Sequence, residues 1–358
     1  MATESDILER IRSGDLRLPP VTLRVLTEEA VVTQSQGQAD LLIEAQWQEN
    51  RFRFAAEVSR LATPLAIEKA VTQARRLAAP PTTYPMVIAP YLSEARLERL
   101  EEAQVSGLDL CGNGVLFVPG KMLVSRTGQP NQFPQSAKIR NVYRGKNSIV
   151  ARAFLLQPRF AQVKDIVAFV AERRGCVAFS TVSKVLKRLE DDLIVGREKG
   201  LIRLLQADTL MENLAANYEP PTILERFRGK SSLPKEELIR RLFEGAKAKD
   251  AKLALTGAAS AERRAAMAAE PLVSCYCAAI LGRLLSEANI DAKETDRFAN
   301  IELLRTEDDR VYFDTRDDDG LPLASPIQTW LELVGGDKRQ KDAAGQVRRG
   351  ILALLEGI

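Results

Sequence analysis

Residues Ser180–Glu190 have the sequence STVSKVLKRLE, and this stretch decides how the middle of the chain folds. Its apolar side chains recur at i, i+3, i+4 and i+7, and they are Val182, Val185, Leu186 and Leu189. This spacing predicts an amphipathic helix over Thr181–Asp191, with Phe179-Ser180 leading into it. Hydroxyl and charged groups occupy the remaining positions, so we expect one buried and one exposed face.

The residues on both sides of this helix complete a small motif. Apolar residues at helical spacing predict one helix around Ile149–Leu156 and a second around Val163–Val170. After the Thr181–Asp191 helix, two short strands, Leu193–Val195 and Leu201–Leu205, flank a basic tip. The order helix, helix, turn, helix, hairpin over residues 148–206 is the layout of a winged helix-turn-helix.

This segment is more basic than the rest of the chain. Residues 148–206 carry 11 basic and six acidic side chains, a net charge of +5, whereas the whole chain carries +3. In such a motif the last helix meets base edges and the hairpin meets phosphates. The residues predicted to contact DNA are Ser180, Thr181, Ser183, Lys184, Lys187 and Arg188 on the helix and Arg197, Lys199 and Arg203 on the hairpin. Phe179 and Val185 are predicted to lie in the core instead.

The stretch Ser180–Glu190 also resembles the recognition helix of bacterial winged-helix regulators. That resemblance implies double-stranded DNA as a partner, bound in paired half-sites by a homodimer. A basic face that is merely solvated, or a winged helix that contacts another protein, would give the same pattern. Both alternatives stay open at this point.

Composition excludes several classes of protein. The 358-residue chain is 45% hydrophobic and 28% charged, which is typical of a globular protein. It contains no histidine, so Ser-His-Asp and Cys-His triads and imidazole metal sites are excluded. Four cysteines without metal-ligand spacing, and no long apolar run, predict a cytoplasmic protein with neither a disulfide framework nor a membrane span.

The first part of the chain predicts an α/β layer with a mixed sheet. Its elements follow the order hairpin, helix, strand, helix, strand. Thr63 as N-cap and Pro64 at the first helical position explain where the first helix begins. The predicted elements are Leu41–Ile43, Phe52–Val58, Thr63–Ala78, Met86–Ala89, Ser93–Ala103, Leu108–Leu110 and Val115–Val118.

Two carboxylates on neighbouring predicted strands form a second candidate site. Asp40 begins the first strand of the hairpin, and Glu57 lies near the end of the second. Such a pair can hold a hard divalent cation such as Mg²⁺. Lys69 and Gln73 share one face of the following helix, from which a lysine could reach the carboxylates. The plainer interpretation is that Asp40 is a strand-start residue and Glu57 a solvated or paired carboxylate.

The strings ADLLI at Ala39–Ile43, AEVS at Ala56–Ser59 and LDLCGN at Leu108–Asn113 resemble the PD-(D/E)XK nuclease superfamily, which has the restriction-endonuclease-like fold. The resemblance covers roughly residues 20–120. It implies Asp40 and Glu57 as metal ligands, and the catalytic set would be Asp40, Glu57, Lys69 and Gln73 only if the nuclease is active, with Lys69 as a substitute for the family lysine. The family motif ends in lysine, whereas this chain has Ser59. Because losing one positioned transition-state donor costs about 10² to 10³ in rate, we predict a catalytically degenerate domain.

The third part predicts a small α/β domain after a Lys- and Glu-rich connector, Pro234–Lys252. Its predicted elements are apolar runs at Leu253–Leu255 and Val273–Ala279, helices at Ala258–Ala268 and Leu281–Ala288, and strands around Ile301–Leu304 and Val311–Phe313. Ser325 as cap and Pro326 at the first position predict a last helix that buries Ile327, Trp330 and Leu331. Residues 317–320 lack the closing glutamate of a calcium loop and are predicted to form an exposed turn.

Two segments of this third part carry a further resemblance. DGLPLASPIQTWLEL at Asp319–Leu333 and GGDKRQ at Gly335–Gln340 resemble the C-terminal domain of AbiEi-family antitoxins. These are regulators of type IV toxin–antitoxin systems in which a winged helix precedes this domain. The likeness covers about residues 250–355. It implies an operator in the protein's own promoter and a toxin as protein partner.

The sequence therefore predicts an α/β protein of three domains: a restriction-endonuclease-like mixed sheet over residues 1–146, a winged helix-turn-helix over 147–235 and an AbiEi-like α/β domain over 236–358. The predicted function is DNA-binding transcriptional regulation, as the antitoxin of a type IV system, without a cofactor. One alternative is a Mg²⁺-dependent DNA endonuclease targeted by its winged helix. The other is a scaffold that binds a protein partner.

Overall fold

The structure is a computed structural model that describes residues 7, 9–11, 13–14, 16–31, 38–133, 141–267, 270–318 and 321–356. The chain divides into two compact units, Met1–Ile139 and Arg140–Ile358. Each unit combines helices with a mixed sheet, so the predicted α/β class is confirmed at that level.

The first unit is built on a seven-stranded sheet in the order β1-β2-β3-β4-β5-β6-β7. Strands β3, β4 and β5 run parallel, and the other neighbours pair antiparallel. The order hairpin, helix, strand, helix, strand is found as predicted, with β1 and β7 added at the two edges. The elements are β1 (Thr22–Val31), β2 (Gln38–Trp47), β3 (Asn50–Val58), α1 (Pro64–Leu77), β4 (Tyr84–Ala89), α2 (Glu94–Glu102), β5 (Ser106–Asp109), β6 (Gly114–Val118) and β7 (Met122–Arg126).

Helices α1 and α2 connect the parallel strands and cover one face of this sheet. The predicted start of α1 is confirmed, because the Thr63 hydroxyl accepts a hydrogen bond from the Ala66 amide at 3.4 Å. Ile67 of α1 packs with Val87 of β4 on that face. On the other face, Leu41 and Phe54 lie in a separate apolar cluster. A sheet buried on both sides explains the continuous apolar run of β4.

A buried carboxylate holds three segments of the first unit together. Asp109, at the end of β5, is 1% exposed. Its Oδ1 accepts the amides of Cys111 and Asn113, each at 2.8 Å. Its Oδ2 accepts the Leu92 amide at 3.0 Å and the Asn113 side-chain amide at 2.8 Å. Asn113 in turn accepts the Gln129 amide at 2.7 Å, so the network reaches the segment that follows β7.

The second unit begins with helices and a small sheet. Strands β8, β9 and β10 pair antiparallel in the order β8-β10-β9. The predicted order of helices and hairpin is found, with the short strand β8 added between the first two helices. The elements are α3 (Ser148–Phe154), β8 (Arg159–Phe160), α4 (Val163–Glu172), α5 (Phe179–Asp191), β9 (Val195–Glu198), β10 (Leu201–Leu204) and α6 (Ala207–Ala216).

The remainder of the second unit is a seven-stranded mixed sheet in the order β14-β11-β15-β13-β12-β17-β16. Its elements are β11 (Glu225–Ser231), α7 (Lys235–Ala248), β12 (Leu253–Thr256), α8 (Gly257–Ala261), β13 (Val273–Cys277), α9 (Leu281–Glu287), β14 (Ala292–Glu294), β15 (Ile301–Arg305), α10 (Asp309–Tyr312), β16 (Arg316–Asp318), β17 (Leu321–Leu323), α11 (Pro326–Val334) and α12 (Lys338–Glu356). Strand β11, which lies before residue 236, pairs with β14 and β15 of this sheet.

Three predicted elements of this part are wrong. The predicted connector Pro234–Lys252 is mostly helix α7, whose Leu238 and Leu242 are fully buried, because its apolar residues recur at helical spacing between the charges. The predicted strand Val311–Phe313 is largely helix α10, where Asp308 caps the Arg310 amide at 3.1 Å. The predicted helix Ala258–Ala268 is the shorter α8, which ends at Ala261. The turn predicted at 317–320 lies partly outside the described residues.

The helical part of the second unit shares one apolar cluster with α11 and α12, the two helices that follow the last strand of the large sheet. It contains Phe154 of α3 and Leu189 of α5, together with Trp330 of α11 and Val347 of α12. The capping of α11 by Ser325 and the burial of Ile327, Trp330 and Leu331 are confirmed, since the Ser325 hydroxyl accepts the Gln328 amide at 3.1 Å. The predicted division between residues 235 and 236 stays a prediction.

A buried arginine adds a polar joint to this shared core. Arg152 of α3 is 1% exposed, and its Nη1 donates to Gln328 Oε1 of α11 at 2.8 Å and to the Arg310 carbonyl at 3.2 Å. Burial lowers the pKa of the Arg152 guanidinium to about 10. Gln328 extends this hydrogen-bond network, because its Nε2 donates to Glu332 Oε1 at 2.7 Å and to the Tyr218 hydroxyl at 3.0 Å.

The substitution Asp109→Asn should reduce the free energy of unfolding of the first unit by about 2 to 4 kcal/mol, because an amide nitrogen would then face donor groups. Denaturant unfolding followed by the fluorescence of Trp47, in a Trp330→Phe background, measures this unit alone. The exposed control Glu98→Gln should change the value by less than about 0.5 kcal/mol. Equal effects of the two substitutions would contradict a structural role for Asp109.

The substitution Arg152→Ala should destabilise the second unit by about 3 to 5 kcal/mol, because it breaks a buried polar joint and leaves Gln328 without its donor. Trp330 fluorescence during denaturant unfolding, in a Trp47→Phe background, reports this unit alone. Lys164→Ala, on the exposed side of α4, is the control and should have an effect below about 0.5 kcal/mol. A loss of less than about 1 kcal/mol for Arg152→Ala would show that the joint is dispensable.

Candidate nucleic-acid interface

Helix α5 presents one face to the core of the second unit and one to solvent. Its buried residues are Val182, Val185, Leu186 and Leu189. The burial of Val185 therefore agrees with the sequence prediction. Ser180, Lys184 and Lys187 follow one another at i, i+4 and i+7 and are all exposed. Thr181 and Ser183 lie beside this exposed row and are half-buried.

The prediction that Phe179 lies in the core is wrong. Helix α5 begins at Phe179, two residues earlier than predicted, and Phe179 is 58% exposed. It precedes the first buried residue of the helix, Val182, by three positions, so it lies beyond the part of the helix that packs. An exposed aromatic ring at this end adds an apolar contact group next to Ser180 and Thr181. Sequence reasoning missed it because aromatic residues are usually assigned to the core.

The three predicted arginine contacts are already paired within the unit. Arg188 binds Asp192 with both ends of its guanidinium, at 3.0 Å each. Asp192 also accepts the Tyr143 hydroxyl at 2.8 Å, so this pair ties α5 to the segment before α3. Arg197 donates to Glu190 at 2.8 Å, and Arg203 donates to Glu198 at 3.1 Å. Exposed pairs of this kind exchange partners at low cost, whereas the less exposed Arg188 is part of the fold.

The three predicted lysine contacts differ from the arginines. Lys184, Lys187 and Lys199 are exposed, and none of them forms an ion pair with any residue that the structure describes. Lys199 lies at the tip of the β9–β10 hairpin, where Glu198 pairs with Leu201 across a two-residue turn. Lys199 and Gly200 have φ values of 51° and 82° there, as a type I′ hairpin turn requires. The positive charges of the three lysines therefore face solvent without an internal counter-charge in the described chain.

A further basic residue precedes helix α5 and was not among the predicted DNA contacts. Arg174 is exposed in the turn between α4 and α5, where its φ is 63°. Its neighbour Arg173 has a structural role instead, because its guanidinium stacks on the Phe169 ring at 3.6 Å and pairs with Asp314 at 3.6 Å. The two arginines look equivalent in the sequence, and only the packing separates them.

The carboxylates of the second candidate site lie on adjacent strands of the first unit. Leu41 pairs with Ala56 at one end of the β2–β3 register, and Asp40 and Glu57 are the residues next to this pair on the two strands. The Asp40 Oδ2 accepts the Val58 amide at 2.7 Å, and this bond holds the carboxylate at the strand pair. Ala55, on the same face of β3 as Glu57, clusters with Leu77 of α1. Glu57 therefore faces the side of the sheet that α1 covers.

Ser59, Lys69 and Gln73 make no recorded contact with the side chains of Asp40 or Glu57 in the described structure. The Ser59 hydroxyl donates to the Leu61 carbonyl at 2.8 Å and so serves the local loop. Lys69 is exposed on α1, and no ion pair links it to another described residue. Gln73, one turn further along α1, is half-buried. The structure thus brings Asp40 and Glu57 together and records no contact of Lys69 with either of them.

Comparison with known proteins gives no further guidance. A scan against protein-family models, a search of curated proteins and a search of solved structures each returned no match to this chain. In the part of the chain that the structure describes, every helix is too short or too polar to cross a membrane. The same described residues contain no group of three or more His, Cys, Asp or Glu side chains arranged to hold a metal ion.

We expect the protein to leave supercoiled plasmid DNA intact in the presence of Mg²⁺, because neither Ser59 nor Lys69 supplies a cation to the Asp40–Glu57 pair. Agarose gel electrophoresis after incubation with excess protein measures the outcome. Cleavage by the wild-type protein that disappears in both Asp40→Ala and Glu57→Ala would contradict this expectation and establish the endonuclease. Cleavage that persists in both variants would indicate a contaminating nuclease.

Proposed function

We propose that the protein is a DNA-binding transcriptional regulator whose second unit contains a winged helix-turn-helix. Helices α3, α4 and α5 would form the helical part, and the β9–β10 hairpin would be the wing. Helix α5 would enter the major groove, whose width of about 12 Å admits one helix. Lys199 at the tip of the wing would contact the phosphate backbone.

The observation that carries this proposal is the exposed face of α5. Lys184 and Lys187 are one turn apart on the side opposite Val182, Val185 and Leu189, and neither has an ion-pair partner among the described residues. DNA phosphates would supply the counter-charges and release condensed cations on binding. A net charge of +5 over residues 148–206, in a chain of only +3, concentrates the attraction at this segment.

The contacts of this surface divide into two kinds. Ser180, Thr181 and Ser183, near the start of α5, would face base edges together with the exposed ring of Phe179, which can contact a thymine methyl group. Lys184 and Lys187 would bind phosphates or guanine edges. Arg197 and Arg203 would contribute after exchanging Glu190 and Glu198 for phosphates, whereas Arg188 would stay with Asp192 and position the helix.

The biological role we propose follows the two resemblances in the sequence. The first unit would be a catalytically degenerate nuclease-like domain, and the large sheet of the second unit would correspond to the AbiEi-like domain. The protein would then repress its own promoter in the cytoplasm as the antitoxin of a type IV system, with a toxin as partner. A homodimer would read the two halves of the operator.

The test is binding to DNA from upstream of the protein's own gene, measured by fluorescence anisotropy against a scrambled duplex. The wild-type protein should bind its own upstream DNA more tightly. Lys184→Ala combined with Lys187→Ala should weaken that binding about 10- to 30-fold, because it removes two contacts of about 1 kcal/mol each. The matched control is Lys247→Ala with Lys293→Ala, two exposed lysines of α7 and β14, which should change affinity less than about twofold.

Three results would contradict the proposal. Equal DNA affinity of the α5 double variant and the control double variant would show that α5 is not the recognition element. Equal binding of the wild-type protein to both duplexes would remove the sequence-specific role. A stable complex with the product of a neighbouring gene, without any binding to DNA, would favour the scaffold.

A further inference from the structure

A basic concavity lies in the first unit, away from the Asp40–Glu57 pair. It has a volume of about 640 Å³, which is within the range of small-molecule sites. It opens at the amino ends of the parallel strands β3 and β4, whereas Glu57 lies near the carboxyl end of β3. Its described lining residues are Asn50, Arg51, Phe52, Arg53, Pro81, Thr82, Tyr84 and Lys121.

Three of these lining residues are cations, and none is a carboxylate. Arg51 and Arg53 alternate with Phe52 along β3, so both project from the exposed face of the strand. Arg51 approaches Glu44 of β2, but only at 3.9 Å and with 62% of its side chain exposed. Arg53 and Lys121 form no ion pair with any residue of the described ranges. Glu44 also pairs with Arg53 in the β2–β3 register, so the three positive charges share one internal counter-charge in the described structure.

Short turns with backbone hydrogen bonds hold the walls of this concavity in place. Trp47 pairs with Asn50 across the tight β2–β3 turn. The loop before β4 is closed by the Ala79 amide to the Thr83 carbonyl at 3.0 Å and by the Thr83 amide to the Ala79 carbonyl at 3.1 Å. The Lys121 amide donates to the Val118 carbonyl at 3.0 Å in the β6–β7 turn. A site formed by fixed turns needs little ordering when a ligand binds.

Two buried aromatic side chains anchor the strand that carries the arginines. Phe52 and Tyr84 are 9% and 6% exposed, and their rings meet edge to face with centroids 6.5 Å apart. Phe52 points to the opposite face of β3 from Arg51 and Arg53, so this aromatic pair holds the backbone from which the two arginines project. Guanidinium groups bind the oxygens of a phosphate through paired hydrogen bonds, and the lysine adds a point charge.

We infer that this concavity binds phosphate groups, carried either by a free nucleotide or by the backbone of DNA. The inference does not depend on the DNA-binding role of α5, because the site lies in the other unit and uses other residues. If the phosphates belong to a nucleotide, the first unit is a ligand-binding domain. If they belong to DNA, the first unit adds a second region of contact to the duplex.

The variant that tests this inference is Arg53→Ala with Lys121→Ala, which removes both cations without an ion-pair partner in the described chain. Its matched control is Arg76→Ala with Arg99→Ala, two exposed arginines of the same unit outside the concavity. Calorimetric titration with inorganic pyrophosphate and with ATP tests the free ligand. Anisotropy of a labelled duplex, measured in the Lys184→Ala, Lys187→Ala background, tests DNA. Thermal unfolding of each variant checks that the fold is intact.

The wild-type protein should bind pyrophosphate or ATP with a dissociation constant below about 1 mM, or retain duplex binding after the two α5 lysines are removed. The concavity variant should weaken that binding at least tenfold, whereas the control should change it less than twofold. Saturation with pyrophosphate or ATP alone identifies a nucleotide-type ligand, and loss of the residual duplex binding identifies DNA. No binding of any probe, or equal binding by the two variants, would overturn the inference whatever the outcome for α5.

Discussion

The packing of the apolar face of α5 is the interaction on which the account of the second unit depends. Val182, Val185, Leu186 and Leu189 are each at most 2% exposed. Burying each side chain contributes about 1.5 to 3 kcal/mol, so rotating the helix about its axis would cost far more than any surface contact returns. Because the buried face is fixed, Ser180, Lys184 and Lys187 must point to solvent. The position of the basic surface is therefore a consequence of core packing.

That core does not end with the three helices. It continues into α11 and α12, and the contact of Arg152 with Gln328 joins α3 to α11 through hydrogen bonds. A buried guanidinium costs desolvation free energy, which is offset here by its hydrogen bonds to Gln328 and to the Arg310 carbonyl. The helical part is thus held in one geometry relative to α11 and α12. A displacement of α11 that moved Gln328 would therefore also disturb Arg152 in α3, which packs beside α5.

Elements with strong local signals were predictable, and elements decided by tertiary contacts were not. The spacing of Val182 and Leu189 and the Ser325-Pro326 pair determine their helices within a few residues, so periodicity and capping chemistry were sufficient. Phe179 was assigned to the core because the sequence does not show where the packing partners of α5 end. The pairing of Arg197 with Glu190 depends on how the hairpin folds back onto α5. The sequence alone therefore does not show that the arginines are ion-paired and the lysines are not.

The candidate sites show the same division. The pairing of Leu41 with Ala56, next to Asp40 and Glu57, follows from a hairpin that the sequence predicts, whereas the role of Ser59 in its own loop is visible only in the structure. The concavity of the first unit joins three turns from distant parts of the chain, and no local pattern links Arg53 to Lys121. The sequence shows where the charged residues are. The fold determines which of them are already paired and which remain available to a ligand.

The central claim is that the exposed end of α5 touches DNA, and a photo-crosslink tests it most directly. Phe179 can be replaced by a photoreactive phenylalanine, Phe179→p-benzoylphenylalanine, with the same replacement at Phe298, which is 88% exposed, as the control. Irradiation of each protein with labelled DNA from upstream of its gene should attach the label at position 179 and not at position 298. Attachment at position 298 alone, or at neither position while the duplex remains bound, would contradict the account.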